Sequence, residues 1–262
     1  MATALITGAS AGLGLEFAWQ LATARHDVVL VARDQERLDR LANQLRAAAG
    51  IRAEVLPADL ADRADVERVA ERLRATERPV GLLVNNAGFG LNQPFVGGDL
   101  ETHERALDVM VRAVLVLSHA AVGQMVERGR GAVLNVSSVA ALTAMGTYSA
   151  HKAWVRTFTE GLAVELRGTG VTATALCPGL THTEFHERAG LEREAYPQIA
   201  WLNADAVVTA ALADVRRGAV ISTPSLRYGI ATEVARLLPR AAIRRLSGDR
   251  RLREAVQDDD EA

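Results

Sequence analysis

The order of local patterns constrains this chain more than its composition does. Short apolar, β-branched runs recur near 2–7, 28–32, 53–56, 81–84, 132–137, 171–176 and 219–222. Between them, amphipathic stretches predict helices near 13–25, 34–49, 62–75, 100–128, 148–167 and 204–217. Strands that alternate with helices predict an α/β fold with a parallel sheet covered on both faces. The strands are apolar throughout, as in Val28-Val29-Leu30-Val31-Ala32 and Leu82-Leu83-Val84, which suits a sheet buried on both sides. Right-handed crossovers make it doubly wound, and such sheets bind ligands beyond the carboxyl ends of their strands.

Composition sets the outer bounds. A chain of 262 residues that is 49% hydrophobic suits one domain able to bury a core without metal or disulfide. We expect the catalytic domain to span 1–224, with a segment at 180–203 that breaks the alternation and covers the active site. A C-terminal helical extension and acidic tail occupy 225–262, with Pro239 as an interruption. The net charge of −2 gives no electrostatic ground for a nucleic-acid partner. Cys177 is the sole cysteine, which points to a reducing, cytoplasmic setting. We expect no leader before the first strand, and no apolar run approaching the roughly 20 residues of a membrane span. In the extension, Arg236, Arg240, Arg244 and Arg245 interleave with Leu237, Leu238, Ile243 and Leu246. Such a segment could lie on a membrane, but packing on its own domain or on another subunit is favoured, and membrane association is not expected.

A glycine loop joins the first strand to the first helix: Thr7-Gly8-Ala9-Ser10-Ala11-Gly12-Leu13-Gly14. Glycines let a backbone turn tightly and approach a pyrophosphate, while a helix N-terminus offers free N–H groups. A tight structural turn would use the same residues. The position after the first strand favours the Rossmann-like, dinucleotide-binding reading. The second strand ends Val31-Ala32-Arg33, without the acid that would hold the ribose hydroxyls of NAD. Arg33 is suited to a 2′-phosphate, so NADP(H) is the expected cofactor; a solvated arginine opening the next helix is the alternative.

Of the 30 basic residues, 29 are arginine, and the single lysine, Lys152, follows Tyr148 by four residues. Tyrosine and lysine at i and i+4 share a helix face. An ammonium is expected to lower the pKa of a phenol from about 10, letting the tyrosine trade a proton with a carbonyl or alcohol oxygen. Ten residues upstream, Ser137-Ser138 closes the fifth strand, where the Ser138 hydroxyl would face the ligand crevice. Each residue alone could be an ordinary surface pair or a helix cap.

Together these residues resemble the short-chain dehydrogenase/reductase family from Ala2 to about Thr223. The resemblance rests on the Thr7–Gly14 loop, Asp59-Leu60, Asn85-Asn86-Ala87-Gly88, Ser138, Tyr148-x-x-x-Lys152, and Pro178-Gly179 followed by Thr183. It implies that Asp59 sits beside the adenine, and that Asn86 with its neighbours supports the central strand and the cofactor. Lys152, with Tyr148 also counted among the cofactor-binding residues, would hold the nicotinamide ribose and Thr183 the carboxamide, with the Pro-Gly turn placing the nicotinamide. A homodimer or homotetramer through helices 100–128 and 148–167 is also implied. Two departures stand out. Met110 occupies the place of a relay asparagine, and the Ser138–Tyr148 interval is short.

The expected activity is NADP(H)-dependent interconversion of a ketone and a secondary alcohol, with Ser138, Tyr148 and Lys152 as the catalytic set. Phe89, Leu142, Met145, Phe185, Tyr196 and Trp201 are candidates for an apolar substrate pocket. Met110 leaves room for a cofactor-binding sensor or scaffold with little catalysis, and a lyase or epimerase would reuse the same tyrosine. No metal site is expected: His182 and His186 lack the His-Glu-x-x-His order of zinc hydrolases, and no G-x-S-x-G surrounds Ser138.

Overall fold

The computed structural model describes residues 3–91, 93–184 and 197–247. Seven strands form one sheet: β1 (Thr3–Thr7), β2 (Asp27–Ala32), β3 (Ala53–Pro57), β4 (Val80–Asn85), β5 (Gly131–Val136), β6 (Val171–Leu176) and β7 (Ile221–Ser222). Every pairing is parallel, in the order β3-β2-β1-β4-β5-β6-β7. The order reverses at β1 and β4, which opens a crevice at their carboxyl ends.

Helices α1 (Gly12–Thr23), α2 (Gln35–Ala49) and α3 (Arg63–Arg74) follow the first three strands. After β4 come α4 (Leu100–Leu107), a π-helical turn (Asp108–Arg112) and α5 (Ala113–Glu127); after β5, α6 (Gly146–Glu165). Helix α7 (Ala204–Arg217) precedes β7, and α8 (Leu226–Leu237) and α9 (Arg240–Leu246) follow it. Alternate strand residues serve opposite cores. Ala4, Ile6, Val28 and Leu30 meet Phe17, Leu21, Leu38, Leu45 and Val208 on one face. Leu5, Val29 and Val31 meet Val66, Leu73, Leu117 and Met125 on the other.

The structure adjusts three expectations. The last strand is shorter than 219–222: only Ile221 and Ser222 lie in ladder register with Ala175 and Leu176. The helix over 100–128 is interrupted by its π turn, which brings the consecutive residues Val109 and Met110 inward together. Arg112 fastens the turn, donating to Asp108 at 2.7 Å and to the Ala61 carbonyl at 2.8 Å. Finally, the whole run Leu100–Glu127 is long and apolar enough to cross a bilayer, contrary to the sequence expectation. Here it is a core element, with Val114, Leu117, Ala121 and Met125 buried.

Candidate active site

A cleft of about 710 Å3 runs along the carboxyl ends of the strands, from the glycine loop to Tyr148. That volume lies within the range of small-molecule sites, roughly 300–1,000 Å3. Its lining includes Gly8, Ser10, Gly12, Leu13, Arg33, Asp59, Leu60, Asn86, Ala87, Gly88, Ser138, Tyr148, Lys152, Pro178, Gly179 and Thr183. The structure thus brings together every candidate catalytic and cofactor residue except Gly14, which is buried beneath the loop. A Cβ on Gly14 would sit 2.1 Å from the Gly8 carbonyl oxygen, so close packing requires that glycine.

The end of the cleft at α1 is suited to an anion. Helices α2, α3 and α4 start at Asp34, Asp62 and Asp99, whose carboxylates accept first-turn N–H groups. Helix α1 starts at Ala11, with no side-chain cap and no acid in its first turn. Its N–H donors face the cleft together with the positive end of the helix dipole. Gly8 has φ +66°, and a Cβ there would fall 2.9 Å from Asn86 Nδ2 and 3.0 Å from Ala87 Cα. Asn86 Nδ2 donates to the Thr7 carbonyl at 2.9 Å, and Thr7 Oγ1 accepts the Asn86 and Ala87 N–H groups at 2.9 and 3.0 Å. These bonds clamp the loop to the end of β4.

Arg33 lines the cleft where β2 ends, and the sequence reading missed its neighbour Arg37 one helical turn on. Arg37 pairs with Asp34 and Glu184, each at 3.5 Å. A second basic residue at i+4 was the available signal. Asp59 accepts from Arg105 at 2.6 Å and from the Ala61 N–H at 3.0 Å. Burial pushes its carboxyl up, but the Ala61 bond, Arg105 and Arg33 together outweigh that and hold it below the ordinary value.

The opposite end is made of buried, mutually bonded side chains. Tyr148 shares a hydrogen bond with the Ser138 hydroxyl, which also accepts the Ala140 N–H at 3.1 Å. The short Ser138–Tyr148 interval is spanned by a 3-10 turn (Val139–Leu142) and closed by the Thr143–Ser149 hydroxyl bond at 2.9 Å. Lys152 lies 5.8 Å from the Tyr148 ring centroid and donates to the Val136 carbonyl at 2.8 Å. Ser137 donates to the Lys152 carbonyl at 2.7 Å. Burial pushes the Tyr148 phenol up to about 12, against the Ser138 bond, and pulls Lys152 down to about 8, against the opposing influence of Cys177. The expected lowering of the phenol by its neighbour is therefore absent: desolvation dominates and the ammonium is directed at a backbone carbonyl. A phenol held this high is fully protonated at neutral pH, which is the form that donates a proton.

Beneath this set runs a buried polar ladder. Asn85 and Asn135, register partners on β4 and β5, bond at 2.9 Å. Asn85 also donates to Ser118 at 3.1 Å, and Asn135 to Thr159 at 2.9 Å, tying α5 and α6 to the sheet. Asparagine inside two apolar strands was the readable sign, because buried amides demand partners. Met110 is buried in the π turn; a Cβ on Gly88 would lie 3.3 Å from its Sδ and 3.6 Å from Lys152 Nζ.

Beyond β6, the Pro178 carbonyl accepts the Val139 N–H at 3.0 Å, and Thr181 bridges to Leu202. Tyr228 of α8, also missed, covers this turn. Its hydroxyl accepts the Leu180 N–H at 3.2 Å and donates to the Ala200 carbonyl at 2.7 Å. A Cβ on Gly179 would lie 2.1 Å from Cζ of the Tyr228 ring.

The expected apolar pocket is only partly assembled. Phe89 lines the cleft, whereas Leu142, Met145 and Trp201 do not. Met145 is exposed, and Trp201 is buried in a stack on His182 with ring centroids 5.0 Å apart. Phe185, Tyr196 and His186 lie outside the described residues, as does most of the expected cover.

Comparison with known proteins places these features in a family. The family model described as short chain dehydrogenase matches residues 2–194. Over 186 residues the chain is 37% identical to sulfoacetaldehyde reductase 2 of Chromohalobacter salexigens, covering 69% of this chain and 73% of that protein. A short-chain dehydrogenase from Sphingobium yanoikuyae, solved in complex with NADPH, superposes with a TM-score of 0.82 at 36% identity, covering 92% of this chain and 98% of that one. The bulky-bulky ketone specific alcohol dehydrogenase of Comamonas testosteroni superposes with a TM-score of 0.79 at 30% identity, covering 90% and 92%. A parallel sheet, a glycine loop and a serine–tyrosine–lysine cluster on one cleft thus agree with sequence kinship: the chain belongs to the short-chain dehydrogenase/reductase family, NAD(P)-dependent oxidoreductases of CH–OH and C=O groups.

Proposed function

We propose that this protein reduces a bulky, apolar ketone to a secondary alcohol with NADPH. The observation that carries the reading is the Ser138–Tyr148–Lys152 cluster on a cleft continuous with the uncapped start of α1 and with Arg33. When bound, NADPH supplies the hydride. Arg33, with Arg37 beside it, favours the 2′-phosphate, and the first turn of α1 the pyrophosphate. Asp59 flanks the adenosine end, held by Arg105.

At the other end, Ser138 would donate a hydrogen bond to the substrate oxygen, and Tyr148 would give it the proton as negative charge develops. Lys152 would keep a positive charge beneath the phenol and reach the ribose. Bulk and apolarity of the substrate are inferred from Phe89 at the cleft and from the ketone named for the Comamonas relative. A homo-oligomer through α5 and α6 accords with the exposure of Leu115, Val126 and Val164 on those helices.

Following NADPH oxidation over a panel of bulky apolar ketones tests this reading. Wild type is expected to turn over and Tyr148→Phe to lose on the order of a thousandfold in kcat. Equal activity in the two proteins would refute the mechanism. Met110 favours one rival, a cofactor sensor: wild type that binds NADPH but stays silent across the panel would favour it. If Met110→Asn then gained a large rate, an impaired relay would be the reason.

A further inference from the structure

We propose that the outer face of α8, with the arginines of α8 and α9, docks on an anionic lipid surface. On α8, Leu226, Ile230, Val234 and Leu237 are 81%, 58%, 52% and 86% exposed. Their spacing of i, i+4, i+8 and i+11 puts all four on one stripe of the helix. The opposite side holds α8 to the protein through Tyr228, whose hydroxyl donates to the Ala200 carbonyl at 2.7 Å, and there Thr232 is buried. The helix is thus amphipathic in the reverse sense: its most apolar face is the one turned outward. Burial within this fold does not explain that stripe.

Charge identifies the occupant. Between 225 and 247 the chain carries Arg227, Arg236, Arg240, Arg244 and Arg245 against one acid, Glu233, and the acids of the extension are concentrated in the tail beyond. All five arginines are exposed. A second copy meeting this face about a two-fold axis would set the same cations against themselves, since such interfaces use one patch on both subunits. Anionic headgroups instead match both elements: apolar side chains enter the acyl boundary while arginines stay with the phosphates. The sequence alone favoured packing on its own domain or on another subunit; the structure shows one face of α8 packed and the other, apolar, exposed.

Cosedimentation of the full-length protein with vesicles tests this. With phosphatidylcholine vesicles containing phosphatidylglycerol, the bound fraction should be at least roughly tenfold above that with phosphatidylcholine alone, and should fall with added salt. Arg244→Gln with Arg245→Gln should weaken binding about tenfold, and Ile230→Ser with Leu237→Ser should abolish it on both vesicles. Unchanged thermal melting of these surface variants would show that folding is intact. Wild type left in the supernatant with anionic vesicles would overturn the proposal. So would serine variants that bind like wild type, or that only lower the mass measured by light scattering, which would make the occupant a second copy.

Discussion

The two ends of the cleft are built from different materials. At the glycine loop, the lining is backbone: uncapped N–H groups of α1, a φ of +66° at Gly8, and contacts that leave no room for a Cβ. At Tyr148 it consists of side chains that are buried, bonded to one another and shifted in pKa by desolvation. A backbone site is specified by what is missing and tolerates little change at its glycines. A side-chain site can lose its chemistry through one atom while its shape survives.

Substitutions at the two ends should therefore fail differently. Gly8→Ala has the largest effect on binding: strain at positive φ and the contacts with Asn86 and Ala87 should weaken NADPH roughly a hundredfold, read by nicotinamide fluorescence. Arg33→Ala should cost about tenfold in NADPH affinity and less than about twofold for NADH, because only the former carries the 2′-phosphate. At the reaction end, the rate at saturating NADPH should decline as pH rises through about 8, where Lys152 loses its ammonium. The sign follows from the charge: the proposed role needs the protonated lysine, which is present below that value and lost above it. A pH profile flat from 7 to 9.5 would remove Lys152 from that role. The smallest effect is expected from Tyr228→Phe, which leaves the ring on Gly179 but strips the Leu180 N–H and the Ala200 carbonyl of a partner. Loss of about 1 kcal/mol should lower the melting temperature by about 2–4 °C.

The same contrast explains what the sequence disclosed. Strand and helix positions followed from hydropathic period, and Pro239 falls between α8 and α9 as anticipated. The glycine loop, Arg33 and the tyrosine–lysine pair were legible because each is a local spacing. The π turn at Met110 was not, since a single inserted residue hardly alters an apolar pattern. Tyr228 was not, because it meets Gly179 from 49 positions away and nothing local marks the contact. The lowered phenol expected at Tyr148 failed for a related reason. Spacing gave the neighbour, but burial and the direction of the Lys152 ammonium, both tertiary properties, decided the shift.

The central claim is that one cleft joins a cofactor site at Arg33 to a separate proton-donating site at Tyr148. The most direct test is a double-mutant cycle of Arg33→Ala and Tyr148→Phe, measuring NADPH affinity and the rate of ketone reduction at saturating cofactor. Arg33→Ala should change affinity with kcat within about twofold, Tyr148→Phe should change kcat with affinity within about twofold, and the double variant should show the product of the two losses. Loss of NADPH binding in Tyr148→Phe, or full turnover without the Tyr148 hydroxyl, would contradict it.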